Sequence, residues 1–137
     1  GLRKFRELVA AQGGDVRLVD DPKRLPKAPT VETLRAPRTT YVAAIDAETV
    51  GVATVHLGAG RAKKGDPIDH RTGVVLHCKV GDRVERGQPI ADIHVAGRPD
   101  DATAVAEVRG AFRFSPRRVP RRRLFIGRIA GRARSSK

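Results

Sequence analysis

The feature that most constrains the fold is the stretch Leu57–Val95, in which short apolar runs alternate with glycine-containing turns. Its first half is a basic, glycine-rich turn, Gly58-Ala59-Gly60-Arg61. Its second half places apolar residues around Gly-Asp and Arg-Gly turns, at Val80, Val84, Ile90 and Ile93. Short strands joined by tight turns produce this pattern, whereas a helix repeats its apolar residues about every three to four positions. The stretch therefore predicts a β-rich core.

The composition indicates one small domain with an aliphatic core. Of the 137 residues, 39% are hydrophobic and only 4% are aromatic. A chain of this length is typical of a single domain, and a core rich in β-branched side chains favours strands. No apolar run approaches the roughly 20 residues that a membrane-spanning helix needs, and no signal peptide is apparent. With Cys78 as the single cysteine, we expect a cytoplasmic protein without membrane association.

The first residues predict an amphipathic helix that ends at Gly13-Gly14, because glycine readily takes the left-handed conformation that terminates helices. The apolar residues at helical spacing are Leu2, Phe5, Leu8 and Val9. The helix begins without a capping residue and has no helical partner of its own length nearby. We therefore expect residues 1–14 to be a helix from a preceding large domain.

Residues 15–114 combine predicted strands with one further helix. Three prolines predict an extended connector from Asp20 to Pro29. Strands are predicted at Val31–Leu34, Tyr41–Ile45 and Val50–Leu57, followed by the hairpins of Val74–Val95. Asp100 and Asp101 are expected to cap a helix from Ala102 to about Phe112. Its buried stripe would contain Ala104, Val105, Val108, Ala111 and Phe112.

The C-terminal tail, residues 115–137, carries most of the net charge. It contains eight Arg, one Lys and no acidic residue. Removing these nine charges from the total of +13 leaves +4 for residues 1–114. Such a distribution is typical of a solvated cationic arm. A basic nucleic-acid-binding protein is an alternative, although no aromatic residue interleaves the arginines for base stacking. The apolar residues of Leu124–Ile129 are compatible with a last strand.

Five short motifs, taken in order, resemble the C-terminal domain of the pyrimidine nucleoside phosphorylases, the family that includes thymidine phosphorylase. They are Ala11-Gln12-Gly13-Gly14-Asp15, Leu25-Pro26, Leu57-Gly58-Ala59-Gly60-Arg61, Ile68-Asp69 with Gly73, and Gly81-Asp82 with Val84, Gly87 and Pro89. The resemblance covers roughly Phe5 to Phe112. It implies an α+β fold: a small, mostly antiparallel β barrel-sandwich of the α/β-hammerhead type with flanking helices.

The resemblance also implies the activity of the parent enzyme, a pentosyltransferase. Phosphate would attack the anomeric carbon of a pyrimidine nucleoside, giving free base and pentose 1-phosphate without a cofactor. In the family, helical and large domains upstream hold the pyrimidine and the phosphate, and none of their motifs maps onto this chain. We therefore assign no catalytic, cofactor-binding or metal-binding residue. We expect the isolated chain to be inactive, with the upstream helical and large domains of a homodimeric enzyme as its partners.

The glycine-rich turn Gly58–Arg61, with Lys63 and Lys64 after it, also has the ingredients of a phosphate-binding nest. It is not a Walker loop, because no Gly-Lys-Ser/Thr follows at the required spacing. It also lacks the last glycine of the dinucleotide fingerprint, since position 63 is lysine. A sharp turn with solvated charges is the favoured interpretation, because glycine-rich turns mostly serve backbone geometry.

Two further alternatives rest on local patterns. The run Gly81–Ile93 resembles half of a biotinyl or lipoyl carrier domain, which presents a modified lysine on the next hairpin tip. Gly97 stands near that position here, so the pattern predicts shared geometry without shared chemistry. The four histidines are His56, His70, His77 and His94. Their spacing fits no usual ligand pattern, and one cysteine cannot complete a zinc set.

Overall fold

The structure, a computed structural model, describes residues 1–61 and 63–120 together with Phe125 and Gly127. Within these residues the helices are α1 Leu2–Ala11, α2 Arg17–Asp20, α3 Ala47–His56 and α4 Asp101–Gly110. The strands are β1 Thr30–Arg35, β2 Thr40–Ile45, β3 Gly73–Leu76, β4 Arg83–Val84, β5 Pro89–Val95 and β6 Phe112–Ser115. A short 3-10 turn covers Pro22–Arg24. The chain therefore has the predicted α+β class.

The six strands form two three-stranded sheets in which every pairing is antiparallel. Sheet A has the order β1-β5-β3, and sheet B has the order β4-β2-β6. Strand pairing within the described residues does not close these sheets into a barrel. The mixed helix and antiparallel sheet architecture is confirmed at this level.

The core draws on both sheets and on the two longer C-terminal helices. In β5 the inward side chains of Ile93 and Val95 are buried, while Asp92 and His94, which alternate with them, face outward, as the two-residue period of a strand requires. The fully buried larger side chains are Leu57, Ile90, Ile93, Val42, Val84 and Val108. Each contributes about 1.5–3 kcal/mol by leaving water. The predicted aliphatic core is therefore present.

The hairpins predicted within Val74–Val95 are divided between the two sheets. Strands β3 and β5 pair in sheet A, but β4 between them crosses to sheet B and pairs with β2. The crossing is held where Gly81 donates its amide to Val42 O at 2.8 Å and Val42 donates its own to Asp82 O at 2.9 Å. The burial of Val84 in the common core gives the crossing its free-energy advantage.

The strand predicted at Val50–Leu57 is wrong, because this segment lies in helix α3 and the residue that follows it. Asp46 precedes the helix and accepts hydrogen bonds from the amides of Glu48 at 3.0 Å and Thr49 at 3.3 Å, a typical N-cap arrangement. Helix α3 packs against α4, and Ala53 and Leu57, one turn apart, are buried there. Packing overrides the strand propensity of the valines and threonines.

The predicted C-terminal helix ends earlier than expected. Helix α4 stops at Gly110, and Phe112 begins a strand that sequence alone did not indicate. Phe112 pairs with Ile45 and Phe114 pairs with Val42. Strand β6 pairs with the open edge of β2, and this edge forms only when distant parts of the chain have come together.

The connector predicted from Asp20 to Pro29 contains a 3-10 turn, and the short helix α2 comes just before it. Asp15 Oδ1 accepts a hydrogen bond from the Arg17 amide at 2.9 Å at the start of α2. Asp21 Oδ1 accepts one from the Lys23 amide at 3.1 Å across the 3-10 turn. Pro22 stands at the first position of that turn, where its fixed φ is suitable and its missing N–H costs nothing. Local side-chain caps thus replace the extended conformation that the prolines suggested.

The predicted last strand at Leu124–Ile129 lies outside the described residues, apart from Phe125 and Gly127, which are not in a strand.

Helix α1 is confirmed at the N-terminus. None of the described helices has the length and apolar character to cross a membrane.

Candidate functional site

The glycine-rich turn terminates helix α3. Gly58 takes a left-handed φ of +87° and donates its amide to Val55 O at 2.9 Å. Ala59 donates its amide to Thr54 O, also at 2.9 Å. These bonds satisfy the carbonyl groups that a helix end leaves without partners. Two of the amides that a phosphate nest would need are therefore used by the helix.

The Arg61 side chain and the Lys63 backbone amide of the turn are also hydrogen-bonded locally. Arg61 Nε donates to Asp66 O at 3.1 Å, and the Lys63 amide donates to Asp66 Oδ2 at 2.9 Å. Further along, the Arg71 guanidinium donates to both Asp69 carboxylate oxygens, at 2.9 and 2.8 Å. This hydrogen bonding holds the pKa of Asp69 well below its usual range. The geometry matches a self-contained turn.

Arg98 lies beneath the glycine-rich turn. A Cβ atom built at Gly58 would stand 2.5 Å from Arg98 Cζ, so the side chain and the turn are in close contact. Arg98 borders two shallow cavities, of about 430 Å³ beside Asp69 and about 240 Å³ beside Gly60. The positive charge of Arg98 also helps to lower the pKa of Asp69, although Arg71 is the larger influence.

The tip at Gly97, where a carrier domain would present its lysine, is tied to helix α4. Asp101 is buried, and its Oδ2 accepts hydrogen bonds from the amides of Gly97 and Arg98, both at 2.8 Å. Asp100, one of the two predicted capping residues, makes no capping hydrogen bond with its side chain. The tip therefore serves to start a helix, and the carrier alternative gains no support.

His77 and His94 are both near enough to Asp92 to lower its pKa, whereas His56 lies beside Glu107. His56 Nδ1 is 2.8 Å from Glu107 Oε2 between α3 and α4, and His77 Nε2 is 2.9 Å from Asp92 Oδ2 on sheet A. His70 and His94 border separate cavities. Over the described part of the chain, no group of three or more His, Cys, Asp or Glu side chains is placed to hold a metal ion.

Helix α1 leaves its apolar face uncovered. It has no buried residue, and the exposed fractions are 70% for Leu2 and 53% for both Phe5 and Leu8. The helix is joined to α2 by an ion pair between Arg6 Nε and Asp20 Oδ1 at 2.9 Å. The N-terminal groove, a cavity of about 480 Å³, is lined by Leu2, Phe5, Val9, Gly14, Asp15, Leu18, Val19, Pro22 and Leu25. The predicted stripe is therefore half of a larger apolar groove.

The outward face of sheet A carries a second groove. A hydrogen-bonded row crosses this face, in which the Thr33 hydroxyl donates to Asp92 Oδ1 at 2.7 Å and His77 approaches the other carboxylate oxygen. The row lowers the pKa of Asp92, with Thr33 as the larger cause. Beside it lies the outer groove, a cavity of about 480 Å³ lined by Pro26, Lys27, Ala28, Val31, Arg71, Thr72, Gly73, Val74, Val75 and His94. Sequence reasoning missed this groove, because its residues come from four separate segments.

Comparison with known proteins gives one consistent family. The pyrimidine nucleoside phosphorylase C-terminal domain matches residues 41–115. The chain is 40% identical over 114 residues to a pyrimidine-nucleoside phosphorylase of Bacillus subtilis, covering 83% of this chain and 26% of that protein. It is 46% identical over 93 residues to the Geobacillus stearothermophilus protein of the same name, covering 68% of this chain and 22% of that protein.

The chain thus spans about a quarter of the length of the curated relatives that it matches. The matched region begins in β2 and ends with β6, so it contains sheet B, α3, α4 and the glycine-rich turn. These elements form the core and the turn described above. The chain belongs to the pyrimidine nucleoside phosphorylase C-terminal domain family.

Proposed function

We propose that the chain is the C-terminal accessory part of a pyrimidine-nucleoside phosphorylase. The parent enzyme would cleave pyrimidine nucleosides with phosphate to free base and pentose 1-phosphate. The observation that carries the proposal is the family match over residues 41–115 together with relatives of which the chain covers about a quarter. Residues 1–14 would belong to the preceding large domain, residues 15–114 to the C-terminal domain, and residues 115–137 to a cationic tail.

The accessory role agrees with the geometry of the glycine-rich turn. Its amides at Gly58 and Ala59 end a helix, and the Arg71 guanidinium is engaged by Asp69. Phosphorolysis depends on holding two reactants in position and stabilising developing charge. We assign these tasks, and the catalytic residues, to the upstream part of the parent enzyme.

The N-terminal groove is the proposed join with that upstream part. Leu2, Phe5 and Leu25 expose about half or more of their surface, and covering them would remove apolar area from water. Arg6 and Asp20 join the two sides of the groove through an exposed ion pair. The parent's remaining chain supplies the covering surface.

Three finer statements belong to the same proposal. The two sheets share one core, which is compatible with the barrel-sandwich of the α/β-hammerhead type that the family resemblance implies. The parent enzyme would be a homodimer, as that resemblance implies. It would work in the cytoplasm, where the single buried thiol of Cys78 stays reduced.

The test is to join this chain to the upstream part of the Geobacillus stearothermophilus relative, replacing its matching segment. We expect the joined protein to release thymine from thymidine in phosphate buffer and the isolated 137-residue chain to release none. Phe5→Asp should weaken the joined protein, because it places a charge in the apolar groove.

Arg3→Asp is the matched control, since Arg3 is exposed on the same helix and is not among the residues that line the groove. It should leave turnover unchanged. Turnover by the isolated chain, proportional to its concentration and abolished by a point mutation within it, would place an active site in these residues and overturn the proposal. An inactive joined protein with intact circular dichroism would also contradict it.

A further inference from the structure

We propose that the outer groove of sheet A is a second docking surface, occupied by an acidic, apolar segment of the upstream part of the parent polypeptide. The inference rests on the proposed function, because that function supplies the partner. It goes further by naming a surface outside helix α1 and the chemistry of the segment that covers it.

The outer groove exposes apolar side chains on a sheet face. Val31 and Val75 are 46% and 48% exposed, although both lie in strands of sheet A. The pairing forms one row of Gly73, His94 and Val31. Val75 lies opposite Asp92 in the neighbouring row of the same face. Space is open above Gly73, where a Cβ atom would meet nothing within 4 Å. The groove can therefore accept an aliphatic side chain at its floor.

Lys27 supplies the positive charge of the outer groove. Lys27, Arg71 and His94 line the groove, but the Arg71 guanidinium is held by Asp69 beside it. The nearest outward acid, Asp92, is engaged by Thr33 and His77. Glu32 pairs with Ile93, whose side chain points into the core, so Glu32 faces away from the groove. An occupant with a carboxylate beside an apolar residue complements this lining.

The outer groove continues the surface already proposed as a join. Leu25 lines the N-terminal groove, and the next residue, Pro26, lines both the outer groove and the cavity beside Asp69. The two grooves therefore adjoin at the connector. Relatives extend for about three quarters of their length beyond the matched segment, which is ample chain to cover both grooves. That continuity selects the upstream part of the parent as the occupant.

The test measures hydrogen exchange in the joined protein and in the isolated chain. Backbone amides of residues 27–31 and 73–76 should exchange at least about tenfold more slowly in the joined protein, because docking suppresses local opening. Amides of α3, on another side, should exchange equally in both. Lys27→Glu and Val75→Asp should each remove the protection. Raising the salt concentration should reduce it, since screening weakens the Lys27 contribution.

Matched controls separate docking from unfolding. Val52 on α3 is 45% exposed, so Val52→Asp adds the same charge at the same exposure outside the groove. Lys79→Glu makes the same charge reversal in the loop after β3. Both should leave the protection in place.

The outcomes distinguish the two proposals. An active joined protein with unprotected groove amides would overturn the second surface and leave the proposed function standing. Protection that survives Lys27→Glu and Val75→Asp would overturn the acidic, apolar occupant. Equal protection in a self-associated isolated chain would show that a second copy fills the groove, which also contradicts the proposal. An inactive joined protein would instead count against the proposed function.

Discussion

Gly58 ends helix α3 in a left-handed conformation, and its Cα atom lies against the guanidinium group of Arg98. The left-handed φ of +87° alone favours glycine. The approach of Arg98 adds a weaker preference, because a Cβ would push aside the flexible end of this side chain. The same arginine lies beside Asp69 and borders two cavities, so one residue position couples the turn to the start of α4.

This coupling predicts non-additive substitutions. Gly87 has a similar φ of +82° but open space around its Cα, so Gly87→Ala should cost only the backbone penalty of about 1–2 kcal/mol. Gly58→Ala should cost more, because it also displaces Arg98. In the double variant with Arg98→Ala, the extra cost should disappear, giving an interaction energy of about 0.5 kcal/mol or more.

Urea unfolding of the four variants and the unsubstituted chain measures these differences. Equal losses for Gly58→Ala and Gly87→Ala would contradict the proposed steric role of Arg98.

At the scale of elements, helix α3 shows how a short polar signal decides between two conformations. Its valines and threonines favour a strand when propensity alone is considered. The Asp46 side chain reverses this by accepting the amides of Glu48 and Thr49, and α4 supplies the surface against which the helix packs. Hydrogen bonding from the Thr49 amide, the largest influence, lowers the pKa of Asp46.

The lowered pKa gives a pH dependence with a definite sign. The folded-state pKa of Asp46 lies below the unfolded value of about 3.9. The stabilisation of the fold by the charged Asp46 carboxylate is therefore fully present above about pH 4, and it is lost as the pH falls through the folded-state pKa. Asp46→Asn keeps a capping oxygen but removes the charge. The unsubstituted 137-residue chain should have a higher unfolding temperature than Asp46→Asn at pH 7. This difference in unfolding temperature should shrink towards pH 2.

Asp100→Asn is the control, because the Asp100 side chain makes no capping hydrogen bond. The difference in unfolding temperature between Asp100→Asn and the unsubstituted chain should not vary with pH in the same way. Thermal unfolding followed by circular dichroism between pH 2 and pH 7 measures both. A difference for Asp46→Asn that is constant across this range would show that the charge does not contribute.

On the scale of the whole molecule, the N-terminal segment and the rest of the domain contribute unequally to the buried core. Helix α1, helix α2 and the 3-10 turn contain no buried residue. Every member of the core cluster lies between Leu34 and Phe112. Residues 1–25 therefore contribute little to the core, although they carry the largest exposed apolar side chains other than Phe125.

Deleting residues 1–25 should leave the free energy of unfolding within about 1 kcal/mol of the full chain, because no buried contact is removed. Deleting residues 101–137 should abolish cooperative unfolding, since Ala104, Val108 and Phe112 leave the core. Urea unfolding followed by circular dichroism compares the two. Loss of the cooperative transition in the first deletion would show that α1 is integral to the fold.

The sequence by itself determined the features that depend on near neighbours. The amphipathic pattern gave helix α1, alternating residues gave β1, β2 and the buried side of β5, and short motifs in order gave the family. The net charge of the tail also followed from the sequence, because it depends on residue types and not on contacts. Each of these is encoded within a few residues, where periodicity and turn chemistry act.

Tertiary structure decided what depends on partners distant in sequence. Strand β6 exists because β2 has an edge to pair with, α3 is a helix because α4 covers it, and β4 crosses to sheet B because Val84 is buried there. The outer groove likewise assembles residues from Pro26 to His94. Their proximity results from chain folding, since strand pairing and burial lower the free energy only after separate segments have met.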